Sequence, residues 1–238
     1  MNPPFSGRNV VITGATGELG HAVAATLVAA GAVCHAPVRA GAGVGRLEAL
    51  GRNLRVVAGI EVADESSVSA FYAGLPPLWA SIHCAGGFAM APFVDTTMDA
   101  LEKLLSGNAR SCFLCSREAA RRMLAAPESA EGRGRIVNVS AQPAVEPRLG
   151  AGKVAYAASK AVVSAVTVAA AEELARHGIW VNAVAPSILD TPSNRAAMPG
   201  SDFARWPKVE EVAETIAFLA SPANLSARGA VVPVYGRT

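Results

Sequence analysis

Short apolar segments alternate with helical segments along most of the chain. Runs rich in valine, isoleucine and alanine predict strands at residues 9–12, 33–38, 54–58, 78–84, 136–139, 179–185 and 230–235. Helical patterns between them predict helices at about 18–30, 43–51, 65–74, 96–106, 108–125, 153–176 and 208–220. Continuously apolar strands that alternate with helices are typical of a parallel sheet covered on both faces. The pattern therefore predicts an α/β fold with a single doubly wound sheet.

The chain shows neither an interdomain linker nor an internal repeat. We therefore expect residues 1–238 to form one domain, which is a size that one core can support. Residues 186–207 are rich in proline and serine and have no strong periodicity. Because long loops in compact domains are often active-site lids, we expect a substrate lid at about residues 187–206.

Composition narrows the choice of partners and compartment. The chain is 51% hydrophobic and 17% charged, with a formal net charge of +2. These values argue against disorder and against the concentrated basic surface that binds nucleic acid. The longest apolar stretch, residues 161–171, is shorter than the ~20 residues of a membrane-spanning helix, and the N-terminus lacks a signal-peptide pattern. We expect a cytoplasmic protein with neither nucleic acid nor a membrane as partner.

The four cysteines are too few for a disulfide scaffold. Cys112 and Cys115 form a Cys-x-x-Cys pattern inside a predicted helix, with no second pair of ligands after it. We interpret them as core residues, with redox or zinc chemistry as the alternative, and expect no metal site.

A glycine-rich turn follows the first predicted strand and opens the first predicted helix. Its sequence is Thr13-Gly14-Ala15-Thr16-Gly17-Glu18-Leu19-Gly20. Gly14 permits a tight turn, Gly17 lets a pyrophosphate approach the backbone, and Gly20 lets the helix pack close to the strand. This context predicts a dinucleotide site, whereas an ordinary glycine-rich turn is the alternative.

The residue that ends the second predicted strand bears on which dinucleotide is bound. NAD-binding folds usually carry an acid there, which bonds the ribose hydroxyls. Here the strand ends at Arg39, and no carboxylate lies between Gly20 and Glu48. A cation without an acid suits a 2′-phosphate, so we expect NADP, with NAD as the alternative. Glu61 and Val62, after the third strand, are candidates to lie against the adenine.

Tyr156 and Lys160 lie one helical turn apart and therefore share a helix face. A free tyrosine has a pKa near ~10, which is too high for efficient proton transfer at neutral pH. A neighbouring cation favours the phenolate and lowers that pKa. The pair is therefore a candidate proton donor and acceptor with its own tuning group.

Taken together, these motifs resemble the short-chain dehydrogenase/reductase family over essentially the whole chain. The motifs that carry the resemblance are the glycine turn, Cys84-Ala85-Gly86-Gly87, Asn108, Ile136-Val137-Asn138-Val139-Ser140, the Tyr156/Lys160 pair and Val181-Asn182-Ala183-Val184-Ala185-Pro186. The resemblance implies a Rossmann-like fold and hydride transfer between a nicotinamide and a carbonyl or secondary alcohol.

The resemblance also implies roles for individual residues. Tyr156 would be the general acid/base, and Lys160 would lower its pKa and hold the nicotinamide ribose. Asn108 would bend its helix and hold a water, and Ser140 is the candidate serine for the carbonyl oxygen. The expected cofactor contacts are Gly14, Thr16, Gly17, Glu18, Leu19, Arg39, Glu61, Val62, Ala85, Gly86, Gly87, Tyr156, Lys160, Pro186, Ile188 and Thr191.

Three departures from the family pattern bear on these expectations. The second glycine of the turn comes one place earlier than in the short branch of the family. Cys84 replaces an asparagine that usually braces the sheet. Strand five usually ends in two serines of which the second is catalytic, whereas here Ala141 follows Ser140. Either Ser140 serves through a shifted loop, or Tyr156 alone or another residue such as Gln142 orients the carbonyl.

Three readings of function remain. The leading hypothesis is an NAD(P)-dependent carbonyl reductase or alcohol dehydrogenase acting on a small molecule. A catalytically impaired cofactor-binding or sensor protein is the alternative. A nucleotide-sugar epimerase or dehydratase, which the glycine spacing suggests, is a third hypothesis, and the expected lack of a C-terminal substrate domain weakens it. Because the helix at 153–176 is rich in alanine and valine, and because the family forms oligomers, we expect a homodimer or homotetramer through helices 108–125 and 153–176.

Overall fold

The computed structural model describes residues 3–238, in which the strands form one parallel sheet. The strands are β1 (Asn9–Thr13), β2 (Val33–Val38), β3 (Leu54–Ala58), β4 (Leu78–His83), β5 (Gly134–Val139), β6 (Ile179–Pro186) and β7 (Val231–Val234). They are ordered β3-β2-β1-β4-β5-β6-β7. The predicted fold class and each predicted strand are confirmed.

Helices cover both faces of the sheet. They are α1 (Glu18–Ala29), α2 (Gly45–Glu48), α3 (Glu65–Ala73), α4 (Met98–Leu104), α5 (Ser111–Leu124), α6 (Gln142–Val145), α7 (Val154–Leu174), α8 (Pro192–Ala197) and α9 (Val209–Ala220). Val10 and Ile12 of β1 pack in one cluster with residues of α1 and α9. Val11, which points to the opposite face, packs in a second cluster with residues of α3, α5 and α7. The doubly wound arrangement is therefore confirmed.

The two helices predicted at 96–106 and 108–125 are one continuous helical segment. Residues Leu105–Arg110 form a π-helical turn that joins α4 directly to α5. A π-turn adds a residue to the helix and redirects its axis, which is common at functional sites. Asn108, which is expected to bend its helix, lies within this π-turn.

The long helix α7 belongs to the layer that covers the sheet. The helical run Val154–His177 is long and apolar enough to cross a membrane by length and composition, with 28% of its most apolar window buried. Val163, Thr167 and Ala171 are buried, and α7 packs against β6. One face of α7 is thus buried against the sheet, while much of its apolar surface is exposed.

The segment predicted as a lid has more regular structure than its sequence pattern suggests. Thr191 caps α8, and Phe203–Arg205 form a short 3-10 turn. Trp206 is buried at the end of the segment. Two short helices thus interrupt what the sequence predicts as an unstructured stretch.

Candidate active site

The candidate site lies at the carboxyl ends of the strands, where the sheet changes direction. From β1 the chain continues outward through β2 and β3, whereas β4 pairs with the other side of β1. In open α/β sheets the ligand crevice lies beyond this switch point. The glycine turn follows β1 and the Ala85-Gly86-Gly87 segment follows β4, so both border the crevice.

Two positions of the glycine turn have no room for a side chain. Gly14 has φ of 67°, and a Cβ atom on it would lie 2.5 Å from the backbone nitrogen of Ala85. A Cβ atom on Gly20 would lie 2.2 Å from the carbonyl oxygen of Gly14. Gly17 is the N-cap of α1 and makes no side-chain hydrogen bond to the first turn. This cradle fits the pyrophosphate of a dinucleotide.

The other residues of the turn divide between the crevice and the core. Thr16 is exposed, and Glu18 is half-buried. Leu19 is buried and packs in the core cluster under α1. Because its side chain is buried, Leu19 can contact the cofactor only through its backbone.

The residues expected at the adenosine end follow β2 and β3. Arg39 is exposed immediately after β2. Glu61 is exposed, and its carboxylate accepts a hydrogen bond from the backbone N–H of Ala63 at 3.2 Å. Val62 is half-buried. All three lie at the same edge of the sheet as the glycine turn.

Tyr156 and Lys160 lie one turn apart near the start of α7. Lys160 is 6% exposed, and its Nζ donates a hydrogen bond of 2.7 Å to the carbonyl oxygen of Val139, the last residue of β5. The ring of Phe88 packs edge-on against the ring of Tyr156, with 4.9 Å between their centroids. The phenol thus lies between α7 and the loop after β4.

The pKa values of this pair do not follow the expectation that Lys160 lowers the pKa of Tyr156. Burial raises the pKa of Tyr156 to about 12. Burial also lowers the pKa of Lys160 to about 8, the opposing effect of the Cys112 and Cys84 thiols being smaller. The predicted lowering of the tyrosine pKa by Lys160 is therefore absent from this structure. At neutral pH the phenol keeps its proton, and Lys160 remains largely charged.

Asn108 lies in the π-turn and joins the loop after β4 to α7. Its Oδ1 accepts a hydrogen bond of 2.8 Å from the N–H of Gly87, while its Nδ2 donates to the carbonyl oxygen of Gly87 and to Ser159 Oγ at 3.1 and 2.9 Å. Ser159 in turn donates to the carbonyl oxygen of Tyr156. A Cβ atom on Gly86 would lie 2.4 Å from Asn108 Oδ1. The side chain of Asn108 therefore fixes the position of the loop relative to the tyrosine.

Ser140 does not present its hydroxyl to the crevice. It is 2% exposed, its Oγ donates a hydrogen bond of 3.1 Å to the carbonyl oxygen of Lys160, and it lies 2.7 Å from Ser164 Oγ. Ala141 follows as the N-cap of α6, and Gln142 is half-buried, with its Nε2 3.5 Å from Glu146 Oε1. In this structure the hydroxyl of Ser140 therefore braces α7.

The residues expected around the nicotinamide follow β6. Pro186 ends the strand, and Ile188 is 38% exposed. Thr191 is buried, and its hydroxyl accepts a hydrogen bond of 3.2 Å from the N–H of Asn194 as the cap of α8. These positions border the crevice from the side opposite the glycine turn.

The cysteine pair is confirmed as part of the core. Cys112 and Cys115 are both buried on α5, and burial raises the pKa of their thiols to about 11 and about 12. Among the described residues, the structure shows no cluster of three or more metal-ligating side chains. Thiols with such high pKa values are poor nucleophiles at neutral pH.

Two contacts near the site cannot be predicted from the sequence. Phe88 is one of the apolar loop residues that favour an apolar or aromatic substrate, but its contact with Tyr156 depends on the fold. A buried hydrogen-bond network also runs beneath the site, in which His83 bonds Ser81 and Asn138 at 2.8 and 2.7 Å. The polar residues that interrupt the apolar strands β4 and β5 are the one sequence signal that could indicate this network.

Comparison with known proteins decides the family. The family model described as short chain dehydrogenase matches residues 8–201. The chain belongs to the short-chain dehydrogenase/reductase family. It is 34% identical to a cis-4-hydroxycyclohexanecarboxylate dehydrogenase of Sinomonas cyclohexanicum, over 99% of this chain and 98% of that protein. It is 30% identical to the L-xylulose reductase of Bos taurus, again over 99% and 98% of the two chains.

Solved structures agree with this assignment. A structure named as a short chain dehydrogenase/reductase family protein has 26% sequence identity and a TM-score of 0.87, covering 98% of this chain and 97% of that one. Members of the family are oxidoreductases that use NAD(P), and the relatives above are named for reactions of alcohols and carbonyls. The chain is therefore an oxidoreductase of this family.

Proposed function

We propose that the protein is an NAD(P)-dependent carbonyl reductase or alcohol dehydrogenase with Tyr156 as its general acid/base. The observation that carries the proposal is the placement of Tyr156 and Lys160 on one face of α7, at the same edge of the sheet as the glycine cradle. Neither pyrophosphate binding nor sheet packing requires a tyrosine there. Hydride transfer to a carbonyl does require a proton donor beside the nicotinamide, and Tyr156 can supply that proton.

The residues present fit a dinucleotide. The N-terminus of α1 and the Gly14 turn would hold the pyrophosphate, while Ala85, Gly86 and Gly87 would line the next part of the crevice. Lys160 would hold the nicotinamide ribose, and Pro186, Ile188 and Thr191 would border the ring. When bound, the nicotinamide supplies or accepts the hydride.

NADP is the favoured cofactor. Arg39 is exposed at the end of β2, where NAD-binding relatives of this fold usually carry an acid. A guanidinium at that position matches the geometry and charge of a 2′-phosphate. Replacing Arg39 with Glu should therefore weaken NADPH binding far more than NADH binding.

In the direction of reduction, Tyr156 would donate its proton to the carbonyl oxygen of the substrate. Its pKa of about 12 keeps it protonated at neutral pH, so the donor form is the resting form. The charged Lys160 would stabilise the phenolate that forms. Asn108 would hold the Gly87 loop and α7 in register during this step.

The substrate pocket has an aromatic wall and apolar surroundings. Phe88 contacts Tyr156 directly and is 59% exposed. Met90 and Phe93, on the same loop, are also largely exposed. We therefore propose an apolar or aromatic carbonyl compound, or the corresponding secondary alcohol, as the substrate class.

Assembly and compartment complete the proposal. The exposed face of α7 consists largely of alanine and valine, including Val162 and Val168. We propose a homodimer or homotetramer through this face and the helix at 108–125, in the cytoplasm.

The test is NADPH oxidation across a panel of ketones and aldehydes. The wild type should turn over at least one apolar carbonyl, and Tyr156→Phe should lower kcat by about 10²–10⁴-fold, the usual contribution of a positioned acid. Tyr156→Phe should still bind NADPH, which controls for folding. Tight NADPH binding without turnover on a broad panel would instead favour the cofactor-binding alternative.

A further inference from the structure

Glu18 places a carboxylate in the first turn of α1, beside the proposed pyrophosphate site. It is the first residue of α1 and directly follows Gly17, the N-cap within the glycine turn. An acidic side chain is attracted to the positive end of a helix, which is the same feature that attracts a phosphate. The part of Glu18 expected to contact the cofactor is therefore its backbone N–H, whereas an uncompensated side-chain carboxylate would compete with the cofactor and repel it.

The carboxylate of Glu18 is bound by Arg46 through two parallel hydrogen bonds. Arg46 Nη1 lies 2.8 Å from Glu18 Oε1, and Arg46 Nη2 lies 3.2 Å from Glu18 Oε2. The hydrogen bond to Arg46 lowers the pKa of Glu18, so the carboxylate is charged at neutral pH. Both oxygens are thus engaged by a partner on α2.

The backbone of Arg46 is itself held in place. Its neighbour Leu47 is 1% exposed and anchors α2 in the core. His21, one turn along α1 from Glu18, donates a hydrogen bond of 3.3 Å from Nε2 to the carbonyl oxygen of Arg46. Helices α1 and α2 are therefore joined through both the side chain and the backbone of Arg46.

We infer that Arg46 is a positioning residue for cofactor binding: it holds and neutralises the Glu18 carboxylate so that the first turn of α1 stays open to the cofactor's pyrophosphate. This inference rests on the proposed function, because it assumes that a dinucleotide occupies the Gly14 turn. It assigns Arg46 an effect through Glu18, in contrast to the direct phosphate contact proposed for Arg39. Since the pyrophosphate is common to both dinucleotides, the effect applies to NADPH and NADH alike.

The experiment measures the Kd of NADPH and of NADH by fluorescence titration on the purified full chain. Arg46→Met should weaken both cofactors by a similar factor, on the order of tenfold, since it leaves an unpaired carboxylate beside the pyrophosphate. The double variant Glu18→Gln with Arg46→Met should return both Kd values to within about twofold of wild type. Arg46→Lys, which keeps the charge, should retain most of the affinity.

Arg52→Met is the matched control. It removes one exposed arginine in the turn before β3, at the opposite edge of the sheet, and should leave both Kd values within about twofold of wild type. A thermal melt of each variant confirms that it folds.

Two patterns would overturn the inference while leaving the proposed function intact. A loss confined to NADPH and not rescued by Glu18→Gln would make Arg46 a direct ligand of the 2′-phosphate. Unchanged affinities in Arg46→Met would show that Glu18 needs no neutralisation. A wild-type protein that binds neither cofactor would overturn the proposed function and this inference with it.

Discussion

At the scale of single residues, this chain lacks the second serine hydroxyl that the family pattern has at the end of strand five. The family resemblance places a catalytic serine at the position of Ala141, and Ser140, the neighbouring candidate, bonds the backbone of Lys160 and lies against Ser164. Which way Ser140 points depends on a side chain 24 positions later, so the sequence leaves its role open. The structure favours a bracing role for Ser140.

Two variants distinguish a structural role of Ser140 from a catalytic one. Ser140→Ala should change kcat by less than about twofold and lower the free energy of unfolding by about 1 kcal/mol, the usual net contribution of a buried hydrogen bond. Ala141→Ser should raise kcat by about tenfold, because it places a donor where the family has one. Steady-state kinetics and denaturant melts measure both effects. A large fall in kcat for Ser140→Ala with unchanged stability would return Ser140 to the catalytic role.

The pKa values of Tyr156 and Lys160 predict how the reaction depends on pH. Burial keeps the phenol protonated, with a pKa of about 12, and gives Lys160 a pKa of about 8. Above pH 8 Lys160 loses the charge that stabilises a phenolate, so kcat for reduction should be level near pH 7 and fall above about pH 8. The pH profile of kcat measures this, and Lys160→Met should give a low, level profile. A fall in the wild type that begins well below pH 7 would contradict this assignment.

Among helices and strands, the spacing of apolar residues predicts those elements whose position is set by burial of an apolar face. The strands and the helices α1, α5, α7 and α9 are set by apolar residues that face the core, so their positions follow from the sequence. The π-turn at Leu105–Arg110 does not, because it accompanies contacts from Asn108 to Gly87 and Ser159, which are distant in sequence. The short helix α8 likewise depends on a local cap, Thr191, and not on an apolar stripe.

Strands β4 and β5 share a polar network that no periodic pattern predicts. His83 is buried between Ser81 and Asn138, and Asn138 donates to Thr167 on α7. Every member finds a partner, so a polar group can be buried there at little net cost. The network ties the sheet to the helix that carries Tyr156.

This network predicts a pH-dependent stability. Burial lowers the pKa of His83 from 6.5 to about 4, so the unfolded chain binds more protons between these values. The free energy of unfolding should therefore fall as the pH drops from about 6.5 to 4, by up to about 3 kcal/mol. Denaturant melts across this range measure the fall, and His83→Gln should show a shallower one. Equal slopes in both proteins would exclude His83 as the source.

At the scale of the whole molecule, the apolar composition has two causes. A parallel sheet buried on both faces accounts for one part. The other is the exposed apolar surface of α5 and α7, on which Phe113 and Val168 are each 50% exposed. Exposed apolar side chains on neighbouring helices are typical of protein interfaces, which supports the proposed assembly. The sequence shows that α7 is rich in apolar residues, but only the structure shows which of those residues are exposed.

Sedimentation velocity tests the proposed assembly. The wild type at micromolar concentration should sediment as a dimer or tetramer of the 24.3 kDa chain. Val168→Glu places a charge on the α7 face and should shift the protein towards monomer. Leu225→Glu, at another exposed apolar site that is 65% exposed, is the matched control and should leave the assembly intact. A monomeric wild type would refute an interface between copies of this chain.

The proposed reaction is the transfer of a hydride between a nicotinamide and a carbonyl carbon, with Tyr156 as the proton donor. The most direct test incubates the protein with an apolar ketone and NADPH deuterated at the transferable position of its nicotinamide, and then determines the product's isotope content by mass spectrometry. The wild type should place one deuterium on the new carbinol carbon, and Tyr156→Phe should give a yield at least about 10²-fold lower. An alcohol product without deuterium, or equal yields from the two proteins, would rule out this reaction or this role of Tyr156.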